Sequence, residues 1–271
     1  MRRILTILII LCLYATIHAQ TIVHLPGTKA TLECYDAEQP IAAIVVCPGG
    51  SYSWLDYKVE GVEVAQWLQA HGISAYVLRY RVQGWWAWAT HYRFLFRGNR
   101  YPDPLRDAET ALDWLTANAD SLGITPSRIG IMGFSAGGHL AMLSTYTRRP
   151  AFVAPIYPVV TMRQPCCHTR SRRALLGEYG QCRQTMRDSL SLEEHVRPDC
   201  PPVFLVNCVD DPIVDYHNSV LLDSALTANN IPHRYIQYRT GGHGFGMNEA
   251  KGTPECRPWK EEFIKWLKTV L

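Results

Sequence analysis

Apolar residues follow two alternating rhythms from about residue 40 to the end of the chain. Continuous apolar runs at 41–47, 73–80, 129–134, 151–160 and 203–208, with a mixed run at 233–238, read as strands, and the continuous ones as strands covered on both faces. Between them the apolar positions recur at helical spacing. Val62, Val64, Ala65 and Leu68 stripe a predicted helix over 60–71 that Gly72 stops, and Ala108, Ala111, Leu112 and Leu115 stripe one over 105–122 that Gly123 closes. Further helices are predicted from Ser135 to about residue 147, over 216–228 and over 259–270. Residues 21–39 alternate instead and predict an edge hairpin. This succession predicts an α/β fold, a doubly wound, mainly parallel sheet with helices on both faces and its working loops at the carboxyl ends of the strands.

Three stretches stand outside the rhythm. Residues 1–19 carry Arg2 and Arg3, a short apolar run and a small residue before Gln20, which predicts a secretory signal peptide and export to the periplasm or the extracellular space. A single domain is then expected over 20–271, with insertions at about 82–104 and 162–201. The first insertion crowds Trp85, Trp86, Trp88, Tyr92, Phe94, Phe96 and Tyr101, either as a packed surface cluster or as a wall of a substrate cleft. The second is basic and holds Cys166, Cys167, Cys182 and Cys200. With eight cysteines left after residue 19, an exported chain permits disulfides, and these four are the expected bridging set. Cys47 and Cys208 end strands and are expected to be free apolar fillers. Adjacent cysteines lack the spacer of a zinc site, so no metal is expected.

Composition narrows the function. The 271 residues are 47% hydrophobic and carry a formal charge of +3, of which Arg2 and Arg3 take two, so no nucleic-acid partner is expected. Nothing after the leader calls for a stable membrane span.

The chemistry concentrates at strand ends. Gly133-Phe134-Ser135-Ala136-Gly137 lies between an apolar run and a helical stripe, the setting of a nucleophilic serine on a strand-to-helix turn. A serine hydroxyl needs a base, and His243 in Gly241-Gly242-His243-Gly244 follows the last strand among glycines that let it reach across the cleft. His139, one turn after Ser135, is expected to pack or orient that turn, and the other histidines to be solvated or capping. The base needs an acid, and Asp210 and Asp211 both follow the strand at 203–208; spacing does not choose between them. The order Ser, Asp, His is that of an α/β-hydrolase. Pro48-Gly49-Gly50-Ser51-Tyr52 offers backbone N–H groups to join that of Ala136 in an oxyanion hole. Tyr52, Trp85, Trp86 and Trp88 are the candidate substrate contacts.

These pieces resemble the α/β-hydrolase esterases of the acetyl xylan esterase and carboxylesterase group, relatives of the hormone-sensitive-lipase-like enzymes. The similarity runs over about 40–271 and includes Cys47-Pro48-Gly49-Gly50-Ser51-Tyr52, Glu60-Gly61, Asp107-Ala108-Glu109, the stretch from Gly133 to Ala141 and Ser171-Arg172-Arg173-Ala174-Leu175-Leu176-Gly177. The resemblance implies Ser135 as nucleophile, His243 as base and Asp211, three residues before Val214, as acid. It also implies Gly50, Ser51 and Ala136 as oxyanion donors. It departs from the lipase group at Pro48 and Ser51, where that group carries His-Gly-Gly-Gly. The expected activity is an exported serine esterase that removes acetyl groups from a carbohydrate such as xylan, without metal or organic cofactor. Other expectations are a general or feruloyl-type esterase, or an inactive glycan-binding relative.

Overall fold

The strands are β1 (Ile22–His24), β2 (Thr31–Tyr35), β3 (Ala42–Cys47), β4 (Ile73–Arg79), β5 (Ile129–Phe134), β6 (Val153–Ile156), β7 (Val203–Cys208) and β8 (His233–Tyr238). In the computed structural model, which describes residues 21–89 and 98–271, they form one sheet in the order β1-β2-β4-β3-β5-β6-β7-β8. The hairpin of β1 and β2 is antiparallel to its neighbours at one edge, and the six strands from β4 to β8 run parallel. The expected leader at 1–19 lies outside the described residues.

Among the described residues the α-helices are α1 (Glu63–Ala70), α2 (Trp85–Ala89), α3 (Asp103–Ala117), α4 (Ala136–Ser144), α5 (Thr169–Gly180), α6 (Gln184–Ser189), α7 (His217–Ala228) and α8 (Trp259–Val270). Side chains alternate along each strand, so Ala43, Val45 and Cys47 of β3 enter one core with α3, α4 and α7, while Ala42, Ile44 and Val46 enter the other with α1 and α8. In that second core Phe263 and Leu267 of α8 are fully buried, a contribution of about 1.5–3 kcal/mol each. Two predicted helices start or stop elsewhere. The 105–122 stripe forms α3 from Asp103 and ends at Ala117, because the Asn118 amide turns back to Trp114 O at 2.8 Å and competes with the next turn. The 60–71 stripe opens as a π-helical turn, Lys58–Val62, before α1 begins.

Topology decides where the cleft lies. β4 flanks β3 on one side and β5 on the other, so the chain leaving β3 and the chain leaving β5 cross over to opposite parts of the sheet. A crevice opens at such a reversal, above the carboxyl ends of the two strands. Register makes those ends level, with Cys47 opposite Gly133, so the 48–52 loop stands beside Ser135.

The turn between β5 and α4 is closed by glycine. A Cβ on Gly133 would meet Gly137 O at 2.0 Å, and one on Gly137 would meet Cys47 O at 2.1 Å. Neither backbone can yield without moving β3 or α4. Gly137→Ala is therefore expected to destabilise the fold by about 3 kcal/mol or more, read as a lowered urea midpoint. A midpoint equal to wild type would show that the turn does not pack as described.

Candidate active site

Ser135 sits at φ 54°, ψ −118°, a conformation that a side chain adopts only at a cost of about 1–3 kcal/mol. The bend is held from both sides: Ser135 N–H donates to Ile156 O at 2.9 Å, and Ser135 O accepts N–H groups from His139 and Val159. The result is a hydroxyl presented at the sheet's edge from the first residue before α4, whose N-terminal end is positive.

His243 reaches that hydroxyl from the loop after β8. Its Nε2 lies 2.9 Å from Ser135 Oγ and its Nδ1 2.6 Å from Asp211 Oδ2. The Asp211 side chain is 1% exposed, and its other oxygen accepts the N–H groups of Ile213 and Val214 at 2.8 and 2.9 Å. The adjacent carboxylate does different work. Asp210 accepts from Gly241 N–H at 3.2 Å and Gly242 N–H at 2.8 Å, tying the histidine loop to the turn after β7. A carboxylate beside Nδ1 fixes the tautomer with its free electron pair on Nε2, facing the serine.

Across the crevice, Gly50, Ser51 and Tyr52 all have positive φ, 120°, 57° and 59°, so the loop after β3 folds tightly over the end of α4. Gly50 O accepts from Ser53 N–H and Trp54 N–H, which closes the loop on itself. Ser51, Ala136 and Ser135 are all buried in the turns that follow β3 and β5, and a Cβ on Gly49 would lie 3.0 Å from Ser135 Cβ.

Tyr52 does not face the cleft. Expected as a substrate contact, it is 1% exposed and its hydroxyl donates to His139 Nδ1 at 2.8 Å, because the loop's positive φ values turn its ring inward. His139 in turn donates Nε2–H to Leu190 O at 2.9 Å, so it is a buried brace between the loop, α4 and the second insertion. Burial pulls its pKa from 6.5 down to about 4. A base depressed in the folded state takes up its proton first in the unfolded chain, so its stabilisation is intact above pH 6.5 and is lost as pH falls toward 4. At pH 5 the loss amounts to about 2 kcal/mol. The denaturation midpoint should therefore drop between pH 7.5 and pH 5, and His139→Gln should drop less than wild type; equal drops would contradict this role.

The first insertion hangs from the same loop, with Gln83 N–H donating to Tyr52 O and Gly84 N–H to Ser53 O. Trp85 and Trp86 of α2 follow at once and are 56% and 71% exposed. The side chain of Trp88 and residues 90–97 lie outside the described residues. From the second insertion comes His168, expected to be solvated or capping. It is half-buried with Nδ1 2.8 Å from Ser171 Oγ, and burial, with His243 and Arg170 nearby, lowers its pKa to about 4.

The cysteine expectation needs correction. All eight described cysteines are free thiols, the four in the second insertion among them. Cys182 is exposed at the end of α5 and bonded to Glu178 O, Cys200 packs near Thr145 and Tyr146, and the Cys166 carbonyl is held by Asn218. Cys208 and Cys256 do lie together beneath the histidine loop, where a Cβ on Gly241 would meet their sulfurs at 2.5 and 2.6 Å. Two further polar groups beside the site, Glu60 and Tyr157, carry no role in the sequence reading. Glu60 is marked there only by its place on an apolar stripe and by Glu60-Gly61 being among the matching pieces.

Comparison with known proteins places this arrangement. The BD-FAE family model matches residues 36–154, and that of the dienelactone hydrolase family residues 99–271. An acetylxylan esterase of Xylanibacter ruminicola is 34% identical over 227 residues, 81% of this chain and 44% of the relative. The endo-1,4-beta-xylanase B of Butyrivibrio fibrisolvens is 28% identical over 216 residues, 74% of this chain and 32% of the relative. The chain thus spans less than half the length of these curated relatives. A solved structure, the acetyl ester-xyloside bifunctional hydrolase from Caldicellulosiruptor lactoaceticus, superposes with a TM-score of 0.81 at 28% identity, covering 94% of this chain and 98% of that one. Since the dienelactone hydrolase family model matches more than half of the chain and the sheet carries the same fold, this protein belongs to the dienelactone hydrolase family, within the α/β-hydrolase superfamily.

Proposed function

We propose that this protein is a carboxylic ester hydrolase that removes short acyl groups, acetyl above all, from xylan-type carbohydrate. The observation that carries the reading is the relay from Asp211 through His243 to Ser135, with contacts of 2.6 and 2.9 Å. His243 Nε2 takes the proton of Ser135 Oγ as that oxygen attacks the ester carbonyl. The tetrahedral oxyanion is received by the N–H groups of Gly50, Ser51 and Ala136. His243 then gives its proton to the leaving sugar hydroxyl, and an acyl-enzyme remains on Ser135. Water, deprotonated by His243, releases the acid and restores the serine. Asp211 stays ionised throughout and stabilises the imidazolium.

The carbohydrate part of the proposal rests on two supports. Two curated relatives and one solved structure that match along most of this chain are named for acetylxylan, xylan or xyloside chemistry. Trp85 and Trp86, 56% and 71% exposed, follow the segment that Gln83 and Gly84 tie to the loop after β3, and indole rings are suited to packing on sugar rings. Export of the chain, expected from residues 1–19, would bring the enzyme to polysaccharide outside the cytoplasm. No helix among the described residues is long and apolar enough to cross a membrane.

Acid release from acetylated xylan, from feruloylated xylan and from p-nitrophenyl esters of increasing acyl length tests the reading. Acetate should leave acetylated xylan readily, with rates falling as the acyl chain lengthens. Hydrolysis confined to small aryl esters would replace it with a general carboxylesterase. Retention of xylan without any acid release would favour a glycan-binding relative.

A further inference from the structure

We propose that Glu60 is a positioning residue of this site, whose buried carboxylate locks the loop after β3 and the histidine loop into one arrangement through Gly49 and Tyr157. The inference rests on the ester-hydrolase reading above and adds to it a residue outside the Ser-His-Asp relay.

Glu60 is 1% exposed, yet both its oxygens are engaged. Oε2 accepts the Gly49 N–H at 2.8 Å, one residue before Gly50. Oε1 accepts the Tyr157 hydroxyl at 2.9 Å, and the same hydroxyl oxygen accepts the Gly246 N–H at 2.9 Å, three residues past His243. Tyr157 also lies against the imidazole, ring centroids 4.8 Å apart, and holds a positive φ of 38° directly after β6. One carboxylate therefore reaches both walls of the crevice. The π-helical turn Lys58–Val62 makes this possible by aiming Glu60 inward, and Met247 N–H donates to Val59 O at 3.1 Å to seat the histidine loop on that turn. An isolated buried charge is costly and a helix surface position is the ordinary place for glutamate, so a purely structural wedge would be better served by an apolar residue.

The charged and titratable groups facing Glu60 are Asp56 from its own loop, Tyr80 after β4, Tyr157 after β6, and His243 and Lys251 from the last loop. Burial first, then Asp56, raises the Glu60 pKa from 4.5 to about 7, with His243 and the two hydrogen bonds opposing. Its ionisation thus falls within the working range of a neutral hydrolase, and a carboxylic acid at Glu60 would have to spend its proton on one of the two arms.

Glu60→Gln tests the lock, since Gly49 N–H and Tyr157 O–H are accepted by different carboxylate oxygens and an amide sets an NH2 donor in place of one of them. A lost arm lets a wall of the site shift, and kcat for p-nitrophenyl acetate should fall about ten- to a hundredfold with KM changed less than about twofold. Tyr157→Phe should cost a similar factor, and the double variant no more than about twofold beyond either single one, because both break the same chain. The acid limb of kcat should lose its component near pH 7 in Glu60→Gln. Folding is followed separately. A raised carboxyl pKa contributes stability below pH 4.5 that is lost as pH rises through 7, so Glu60→Gln should gain stability relative to wild type at pH 8.5 compared with pH 5.5. Wild-type kcat in folded Glu60→Gln, multiplicative losses in the double variant, or an unchanged pH profile would each overturn the proposal. Its failure is separable from failure of the hydrolase reading, because organophosphonate labelling of Ser135 should persist in all these variants; loss of labelling in wild type itself would defeat the reading beneath it.

Discussion

Ser135→Ala is expected to lower kcat/KM for p-nitrophenyl acetate by about 10⁴-fold or more while leaving the denaturation midpoint near that of wild type. The size follows from the role: without the hydroxyl no acyl-enzyme forms, and what remains is the help that the oxyanion loop and binding give to attack by water. The small stability effect follows from the position. Ser135 Oγ bonds to His243, whose ring is also held by Asp211 and packed on Tyr157, so the loop keeps its other anchors. The strained φ of 54° remains with alanine, which offers no relief. Equal rates for variant and wild type would remove Ser135 from the reaction altogether.

Two adjacent carboxylates should separate by orders of magnitude. Asp211→Asn is expected to reduce kcat by about 10³–10⁴-fold, because an amide at that position can present N–H to Nδ1 and so favour the tautomer that turns a proton, not an electron pair, toward Ser135. The mutated group would also trade a charged acceptor for a neutral one at the Ile213 and Val214 N–H groups. Asp210→Asn should cost less than about tenfold, since its partners are the backbone N–H groups of Gly241 and Gly242, which an amide oxygen still accepts. Steady-state kinetics of the two purified variants reads the difference. A larger loss at Asp210 would reverse the assignment.

Much of the scaffold was legible because burial leaves a periodic trace, continuous in a strand covered on both faces such as β7 and striped along a helix such as α8. The runs at 203–208 and 233–238 and the stripe at 259–270 became β7, β8 and α8 at the same bounds. Ser135, His243 and the Asp210-Asp211 pair were visible for another reason: a glycine-flanked polar residue at the end of an apolar run has little else to do there. Spacing left the pair open and only the resemblance pointed to Asp211; the turn after β7 sends the neighbouring side chains to different partners, Asp211 to His243 Nδ1 and Asp210 to the Gly241 and Gly242 N–H groups. Other features depend on contacts that leave no local mark. Tyr52 looks like any tyrosine in an exposed loop until positive φ at 50–52 turns it onto His139. Tyr157 is one residue of an apolar run until β6 ends at Ile156 and its hydroxyl meets Glu60. Glu60 itself lay in a stripe read as plain helix, and only the π-helical turn points it inward. The cysteines misled because an even number in an exported chain permits bridges without bringing any pair together; Cys208 and Cys256, far apart in sequence, are the two that meet.

In the proposed reaction the acyl group rests on Ser135 Oγ. Labelling with a fluorophosphonate, followed by peptide mapping of the intact purified protein, tests it most directly. One label per chain is expected on the peptide containing Ser135, with loss of hydrolysis in step with labelling and no label in Ser135→Ala. Full hydrolysis after labelling, or a label that settles on another residue while Ser135→Ala stays active, would contradict it.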